Sequence, residues 1–444
     1  MESRKQSSAG ALDPTFGAGG VFFLNTAVLK GVVPQRVTTM PDGRLMVAGY
    51  RRRPEGESGY DFALACLTES GEPDTSFGTF APGLTLGSFS SDPASASQAG
   101  FIVRTPDDKL IVSGIVVLGG AITPALAKFH ADGTLDESFG GGSGQVNFTF
   151  PPPQGPTSRA TVPEDGSGVV SPDEHEYIAD RAATFSFHVT PLASGKLLIT
   201  GAIKDGGQEE YYSVLARLDE RGMLDPTFGA GGYRYVGGRG STADSHLVLS
   251  DGSIMVCGHE RKTSGFTRAY VGKFTANGIH DDTYGSEGGF AFPILFGGTT
   301  AAGANSMVLH GDNKVVVAAN EATTTWFSML GALDKNGMSD PDFNGGFPVR
   351  LPQFEGSWMT VTDSLYDGDG FILCGGVNRQ LMLTRYFFDG TMDTSFGDGG
   401  WWRHLPTRFV GSMARQPDGK FLGMGQFNTG GFDGEEYIAR FLGS

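Results

Sequence analysis

Several groups of residues have the types and spacing that could bind a ligand or take part in chemistry. The most concentrated lies within residues 149–183, a proline-rich stretch in which carboxylates surround one imidazole. These side chains are Glu164, Asp165, Asp173, Glu174, His175, Glu176 and Asp180. They suit recognition of a partner or binding of a metal ion, but SPDEHEY lacks the two-histidine spacing of a zinc helix. Recognition is the leading functional interpretation, and a solvated acidic insert is the plainer alternative.

A run of arginines, Arg51, Arg52 and Arg53, opens a polar loop earlier in the chain. Guanidinium groups bind carboxylates and phosphates through paired hydrogen bonds, so this run could hold an acidic partner. Basic runs of this kind are more often solvated loops, and this one could also pair with the acidic insert.

An aromatic pair, Trp401 and Trp402, precedes Arg403 and His404. Adjacent residues of a strand point to opposite sides, so one indole could be exposed. An exposed Trp beside Arg and Asp suits sugar binding, whereas core packing between repeats is the commoner role. The candidate partner contacts are thus Arg51, Arg52, Arg53, Glu164, Asp165, Asp173, Glu174, His175, Glu176, Trp401 and Trp402.

Three histidines, His188, His246 and His310, lie at similar places in three successive sequence repeats. When the repeats are aligned on a turn that they share, His188 and His310 stand at strand positions that point to one side of the sheet. His246 stands at a position that points to the other side. The three side chains therefore cannot all face the same way. We predict no metal site here and no cofactor.

Motifs that usually mark enzymes are missing. The sequence has no G-x-S-x-G, no H-E-x-x-H, no Walker loop and no C-x-x-C. Active sites of repeat proteins can assemble from scattered loops, so an enzymatic alternative stays open.

The elements that must position these residues come from a sevenfold repeat. LDPTFGAGG at 12–20 returns at 224–232, and the degenerate copies are PDTSFG at 73–78, LDESFG at 135–140, HDDTYG at 280–285, SDPDFN at 339–344 and MDTSFG at 392–397. Between copies the chain reads as short strands separated by a turn such as PDGR at 41–44. Four short strands per repeat, seven times, predict an all-β, seven-bladed β-propeller of four-stranded antiparallel blades.

The ends of the chain predict how the ring closes. The seventh repeat lacks its last strand, and the strand at 21–25 precedes the first set, so the N-terminal strand should complete the last blade. We predict a tail over residues 1–11, one propeller domain over 12–444, and an inserted inter-blade loop at 149–183.

The repeated motif itself favours a structural role. Asp13 can accept backbone N–H bonds as an Asx-turn does, and Leu12 and Phe16 can anchor a blade corner. A calcium ring of seven such aspartates is disfavoured, because each ion needs six to eight oxygens and each blade offers one.

Composition excludes some partners. The net charge is −16 and the pI is about 4.9, which argues against nucleic acid and anionic membranes. Residues 110–127 carry no charge but contain Gly-Gly and Pro in register with strands elsewhere, so we predict no membrane insertion. The N-terminus has no apolar signal segment, which predicts a cytoplasmic location or signal-independent export.

The motif L/M/P-D-x-S/T-F-G, with G-x-x-x-x-G and L-A-R-L strands, resembles the delta-60 repeat family, a bacterial β-propeller repeat. The resemblance covers nearly the whole chain, although the copies at 280–285 and 339–344 depart from it. It implies the fold and a bacterial origin. The family carries no settled activity, so no catalytic residue is carried over.

These observations favour a non-enzymatic binding or scaffold propeller that recognises a protein or glycan through loops of one face. The alternatives are a carbohydrate-active or hydrolytic enzyme with a site at the central channel, and a structural module of a surface or secreted assembly.

Overall fold

The computed structural model describes residues 9–54, 59–151, 187–204, 211–238, 240–261, 267–286, 289–292, 301–322, 326–406, 409–427 and 435–443. Regular structure in these ranges is β-strand, apart from two short 3₁₀ turns at Gly140–Gly142 and Asn344–Gly346. No helix in the described ranges has the length and apolar character needed to cross a membrane.

Seven four-stranded antiparallel sheets form the blades of a propeller, as the repeat predicted. Blade 7 takes its outermost strand from the start of the chain, β1 (Val21–Phe23). Blade 1 is β2 (Val32–Thr39), β3 (Leu45–Arg52), β4 (Tyr60–Leu67) and β5 (Leu84–Gly87). Blade 2 is β6 (Ala96–Arg104), β7 (Leu110–Leu118), β8 (Ala121–Phe129) and β9 (Gln145–Asn147). Blade 3 is β10 (His188–Pro191), β11 (Leu197–Lys204), β12 (Tyr211–Leu218) and β13 (Tyr233–Val236).

The second half of the ring repeats this order. Blade 4 is β14 (Ser245–Val248), β15 (Ile254–Arg261), β16 (Thr267–Phe274) and β17 (Phe290–Ala291). Blade 5 is β18 (Ala301–His310), β19 (Lys314–Ala322), β20 (Trp326–Leu333) and β21 (Val349–Arg350). A small hairpin follows, β22 (Gln353–Phe354) with β23 (Ser357–Trp358). Blade 6 is β24 (Thr360–Asp367), β25 (Gly370–Val377), β26 (Gln380–Phe387) and β27 (Trp401–Pro406). Blade 7 is β28 (Phe409–Arg415), β29 (Phe421–Phe427), β30 (Glu435–Phe441) and β1.

The second and third strands are apolar on both sides because each blade is packed between two others. In β3 the residues from Leu45 to Tyr50 are all buried. The core is accordingly divided among the seams between blades. One such cluster joins Ala48 and Phe62 of blade 1 to Ile102 and Val112 of blade 2. The charge-free segment at 110–127 is the β7–β8 hairpin of blade 2.

The predicted closure of the ring is confirmed. β1 pairs antiparallel with β30, with Val21 opposite Ala439 and Phe23 opposite Tyr437. The contacts begin before the motif, because Gly397 N–H donates to Ala9 O and Gly10 N–H donates to Leu442 O. Residues 9–11, assigned from sequence to a tail, thus contact the seventh blade and the motif of the sixth.

Each motif also ties its blade to the next one. The residue after the motif's aromatic ring donates a backbone hydrogen bond to a turn of the following blade, as Gly17 N does to Ser70 O and Gly140 N does to Arg221 O. The same bond joins Gly78 to Asp132, Gly229 to Asn277, Gly285 to Asn336, Asn344 to Asp389 and Gly397 to Ala9. The motif is therefore the corner staple that its sequence predicted, repeated at all seven junctions.

Candidate functional site

The first strands of neighbouring blades contact one another around the ring, so they line its centre. Strand register identifies equivalent positions on them, since each pairs with the second strand of its own blade. The second strand of each of these blades has a Gly or Ala at one shared position, and the residue just before it pairs with one residue of the first strand. In blades 1 to 6 these first-strand residues are Arg36, Phe101, His188, Ser245, Ser306 and Asp363. This row mixes charged, aromatic and hydroxyl side chains, and the repeat does not fix its chemistry.

One part of the row is an ion pair across the ring. Arg36 Nη1 lies 3.5 Å from Asp363 Oδ2, reaching from blade 1 past blade 7 to blade 6. The same carboxylate accepts a hydrogen bond from Met413 N at 2.9 Å. The Arg36 guanidinium also lies 4.7 Å from the centroid of the Phe101 ring. These contacts hold both charges in place and balance them locally.

Beside this pair, two of the three predicted histidines meet in the seam between blades 3 and 4. His188 Nδ1 lies 3.2 Å from His246 Nδ1, and Thr200 Oγ1 lies 2.8 Å from the same His246 atom. The parity argument was correct that the three histidines do not face one way, and His310 instead stacks on Phe388. His188 and His246 meet because side chains that point to opposite sides of adjacent blades face each other across the seam between those blades.

The two imidazoles are held neutral by their surroundings. Only 1% of the His246 surface is accessible, and burial lowers its pKa to about 3. The pKa of His188 is also well below its usual range because of burial, then of His246 and Arg36. Both rings therefore carry unprotonated nitrogen at neutral pH.

A second polar group sits at the start of blade 4. Thr242 Oγ1 lies 2.8 Å from Asp244 Oδ2 and 2.8 Å from His259 Nδ1. The Asp244 side chain keeps 35% of its surface accessible, yet protein encloses it enough that burial raises its pKa to about 7. Burial lowers the pKa of His259 to about 4. A carboxyl group that exchanges its proton near neutral pH can act as a general acid or base, or as a hydrogen-bond donor to a ligand.

A third carboxyl group, on Glu321, is also raised in pKa. Only 1% of its surface is accessible, and neither carboxylate oxygen has a hydrogen-bond partner. Burial raises its pKa to about 7, although the charge of Arg350 acts in the opposite direction. This buried acid on β19 has no counterpart among the sequence predictions.

The three predicted arginines separate in the structure. Arg51 donates a hydrogen bond to Val28 O at 3.4 Å and lies 5.8 Å from the Phe80 ring. Arg53 pairs with Asp61 at 2.9 Å and donates to Pro93 O at 2.8 Å. Arg52 is exposed. The run does not form one guanidinium cluster, and two of its members brace the surrounding loops.

The two tryptophans lie in β27, the outermost strand of blade 6, and both are half-buried. They face opposite sides as predicted. Trp401 contacts Phe354 of the small hairpin at 3.5 Å between ring centroids, and Trp402 contacts Phe441 of blade 7 at 4.7 Å. Glu164, Asp165, Asp173, Glu174, His175 and Glu176 lie outside the described residues. The structure does not bring the arginines and tryptophans together, since blade 7 separates their blades.

Six of the seven motif aspartates form ion pairs among the described residues. Asp225 Oδ2 lies 2.7 Å from Lys196 Nζ and 2.8 Å from Arg217 Nε, while Thr227 bonds the other oxygen. The turn between the first two strands, or in blade 5 the first residue of the second strand, provides the cation for five of the seven aspartates. The pairs are Arg44–Asp74 at 3.3 Å, Lys109–Asp136 at 2.7 Å, Lys196–Asp225 at 2.7 Å, Lys314–Asp340 at 2.9 Å and Lys420–Asp13 at 3.2 Å. Burial alone would raise the pKa of Asp13, but bonds from Thr15 and Lys420 and the charge of Arg440 lower it to about 2.

The propeller has two faces that differ in how regular their loops are. The turns after each first strand and the motifs lie on one face, which we call the motif face. The loops after each second strand and the connections between blades lie on the other, which we call the variable face, because antiparallel strands alternate direction. On the motif face the turns at 40–44, 105–109, 192–196, 249–253 and 416–420 have one length. On the variable face the connections range from 119–120 to 148–187.

The fold and the row around its centre define a seven-bladed β-propeller with one constant and one divergent face. Residues 41–77 and 105–139 match the model of a family described as a domain of unknown function (DUF5122) beta-propeller. No curated protein matches the chain.

Several solved structures are similar to the chain over most of its length. A protein of unknown function from Dyadobacter fermentans DSM 18053 is 10% identical, with a TM-score of 0.44 and 98% of each chain covered. The polysaccharide lyase Uly1 is 9% identical, with a TM-score of 0.45, covering 99% of this chain and 94% of its own. A PL25 ulvan lyase is 10% identical, with a TM-score of 0.44 and 94% of each chain covered.

Proposed function

We propose that this protein is a non-enzymatic binding propeller, which recognises a protein or a glycan through the loops of its variable face. The observation that carries the proposal is the much wider length variation of that face, since the first turns of the motif face differ only by being shorter at 311–313 and 368–369. Loops positioned by a rigid scaffold are where binding residues concentrate, because a loop can change without disturbing the core. The constant motif face, by contrast, is explained by the ring's own stability.

The charges of the two faces support the same assignment. On the motif face, ion pairs within a blade neutralise the repeated carboxylates, so these groups are committed to the fold. On the variable face, Arg52 is exposed, and Asp244 retains an accessible carboxyl group next to His259. We assign the partner contacts to this face, including Arg51 to Arg53 and the acidic residues of 149–183.

A deletion of residues 152–183 tests the proposal, because it removes the acidic residues and keeps Phe150, whose ring packs against Phe187 and Tyr233. We expect the shortened protein to fold with an unchanged circular dichroism spectrum and to lose binding to its partner. The probes are a glycan array and an affinity pull-down, run in parallel with the wild type. Retained binding by the deletion, or collapse of the ring, would contradict the assignment.

A charge reversal on each face provides a matched control. Arg52→Glu changes an exposed side chain of the variable face, and Arg221→Glu changes an exposed side chain of the motif face. We expect only the first to weaken a partner found by the array or pull-down. Equal weakening by both variants would point to general electrostatic attraction.

The enzymatic alternative draws on one observation, the accessible Asp244 carboxyl group with its pKa near 7 beside His259. If a channel enzyme cleaved polysaccharide, Asp244→Asn would abolish turnover while leaving glycan binding intact. An assay of product release with the wild type and this variant separates the two functions.

A further inference from the structure

The polar group in the seam between blades 3 and 4 departs from the repeat at several positions at once. His246 lies at a position of the first strand where other blades have Val37, Ile102, Val189 and Met307. These four residues are all buried and apolar. Thr200 likewise stands where blades 1 and 5 have Ala48 and Ala318. One seam of the ring has thus exchanged apolar packing for imidazole and hydroxyl groups that touch one another.

The three side chains form a hydrogen-bonded group whose nitrogen spacing suits a shared metal ion. His188 Nδ1 and His246 Nδ1 are 3.2 Å apart, and Thr200 Oγ1 is 2.8 Å from His246 Nδ1. Two nitrogen ligands at about 2.0–2.1 Å from a tetrahedral ion stand roughly 3.3 Å apart, so the two rings need little movement to share one ion.

We propose that His188 and His246 bind a late first-row divalent metal ion, such as Cu²⁺ or Zn²⁺, through their Nδ1 atoms. Imidazole nitrogen is a preferred ligand of these ions. Burial keeps both rings unprotonated, so protons do not compete for the lone pairs. The site goes beyond the proposed partner binding and does not depend on it.

The remaining coordination positions are open ones. In the described part of the chain no group of three or more His, Cys, Asp or Glu side chains is placed to hold a metal ion, so the two imidazoles would be the ligands of these residue types at this site. The Thr200 hydroxyl group and water supply further oxygen ligands, since His188 is only half-buried. The positive charge of Arg36, which lies near His188, is balanced by Asp363 at 3.5 Å.

Copper titration of the full-length, tag-free protein after dialysis against a chelator tests the site. We expect one Cu²⁺ per chain, with an electron paramagnetic resonance spectrum that shows coupling to two imidazole nitrogens. His246→Val installs the residue of blades 1 and 3, and His188→Ser installs the residue of blades 4 and 5. Each should weaken binding by at least about tenfold, because each removes a direct ligand.

His310→Gln is the control, since it removes a histidine at the end of β18 that stacks on Phe388 of blade 6. It should bind Cu²⁺ as the wild type does. Undiminished binding in both His246→Val and His188→Ser would place the ion elsewhere and overturn the proposal. A wild type that binds no more tightly than His246→Val would also overturn it. Circular dichroism confirms folding, and if His246→Val does not fold, the half-buried His188→Ser decides.

Discussion

At the scale of single residues, the carboxyl groups of this propeller are of two kinds. The motif aspartates are stabilised in their charged form by cations and hydrogen bonds, which lower the pKa of Asp13 to about 2 and that of Asp225 further. Asp244 and Glu321 have the opposite environment, with the pKa of each raised to about 7 by burial. The first kind serves the fold, and the second kind marks places where the fold alone gives no reason for a carboxyl group.

Removing a motif carboxylate should destabilise the fold through the cations it leaves behind. In Asp225→Ala, the buried Arg217 and the Lys196 ammonium lose their shared partner. We expect a loss of about 3 kcal/mol in the free energy of unfolding, because one side of a buried ion pair is left uncompensated. Denaturant titration measures it. Glu137→Ala, which changes the exposed residue next to the motif carboxylate of Asp136, should alter stability by less than about 0.5 kcal/mol.

Glu321 should make stability depend on pH in a predictable direction. Its pKa is about 7 when folded and 4.5 in the reference state, so the folded chain binds more protons between these values. Stability is therefore lost as pH rises through this window. As pH increases from 5 to 8, the free energy of unfolding of Glu321→Gln should rise relative to that of the wild type by about 2 kcal/mol in total.

Thermal denaturation at several pH values follows that difference. Glu355→Gln is the comparison, because Glu355 is exposed and its pKa is lowered by Arg403, outside the tested range. A constant difference between Glu321→Gln and the wild type from pH 5 to 8 would mean that Glu321 finds a partner when it ionises.

At the scale of elements, the unit that matters is the junction of two blades. The aromatic ring of each motif lies against a glycine of the next blade, as Phe139 lies against Gly222 and Phe396 lies against Gly10. A backbone hydrogen bond accompanies each ring. The motif therefore stabilises contacts between neighbouring sheets as well as its own corner.

Two glycines of blade 3 allow the cost of backbone strain to be measured apart from the cost of losing this packing. Gly222 (φ +83°) and Gly231 (φ +77°) both have left-handed backbone, but an added Cβ would meet the Phe139 ring at 2.5 Å only at Gly222. Each change to Ala should cost about 1 kcal/mol for the conformation. Gly222→Ala should cost roughly 1–3 kcal/mol more, because the ring must move. Equal denaturant midpoints for the two variants would show that the ring contact is not needed.

At the scale of the whole molecule, the ring is closed where residues 9–24 meet residues 436–442. Ala9 completes the series of inter-blade hydrogen bonds, Asp13 pairs with Arg440, and β1 covers the edge of β30. Without them blade 7 would expose an unpaired strand edge.

Deletion of residues 1–25 should consequently loosen more than one blade. We expect a lower melting temperature and faster amide hydrogen exchange in blade 7 and in both of its neighbours, blades 6 and 1. Deletion of residues 1–8, which precede these contacts in sequence, provides the comparison. Faster exchange confined to the C-terminal strand alone would contradict closure as a property of the ring.

Much of this architecture could be read from the repeat. The sequence also contains the turn cations, because Lys or Arg ends the turn after the first strand in five repeats, but the motif by itself predicts only an Asx-turn and a blade corner. A position-by-position comparison of the seven repeats would have singled out His246 and Thr200 as polar departures. The bounds of the strands differ by a few residues, as at β2, which begins at Val32 and carries a bulge between Pro34 and Arg36.

The sequence alone determined the fold, the number of blades and the closing strand, because these follow from local patterns that recur seven times. Only the tertiary structure decided which side chains meet. His188 and His246 are 58 residues apart and of opposite parity, and they touch because adjacent blades press opposite sides of their sheets into one seam. Arg36 reaches Asp363 for a similar reason, since the ring brings distant repeats around a common centre. Pairings of this kind depend on the packing angle between blades, which the pattern within a repeat does not contain.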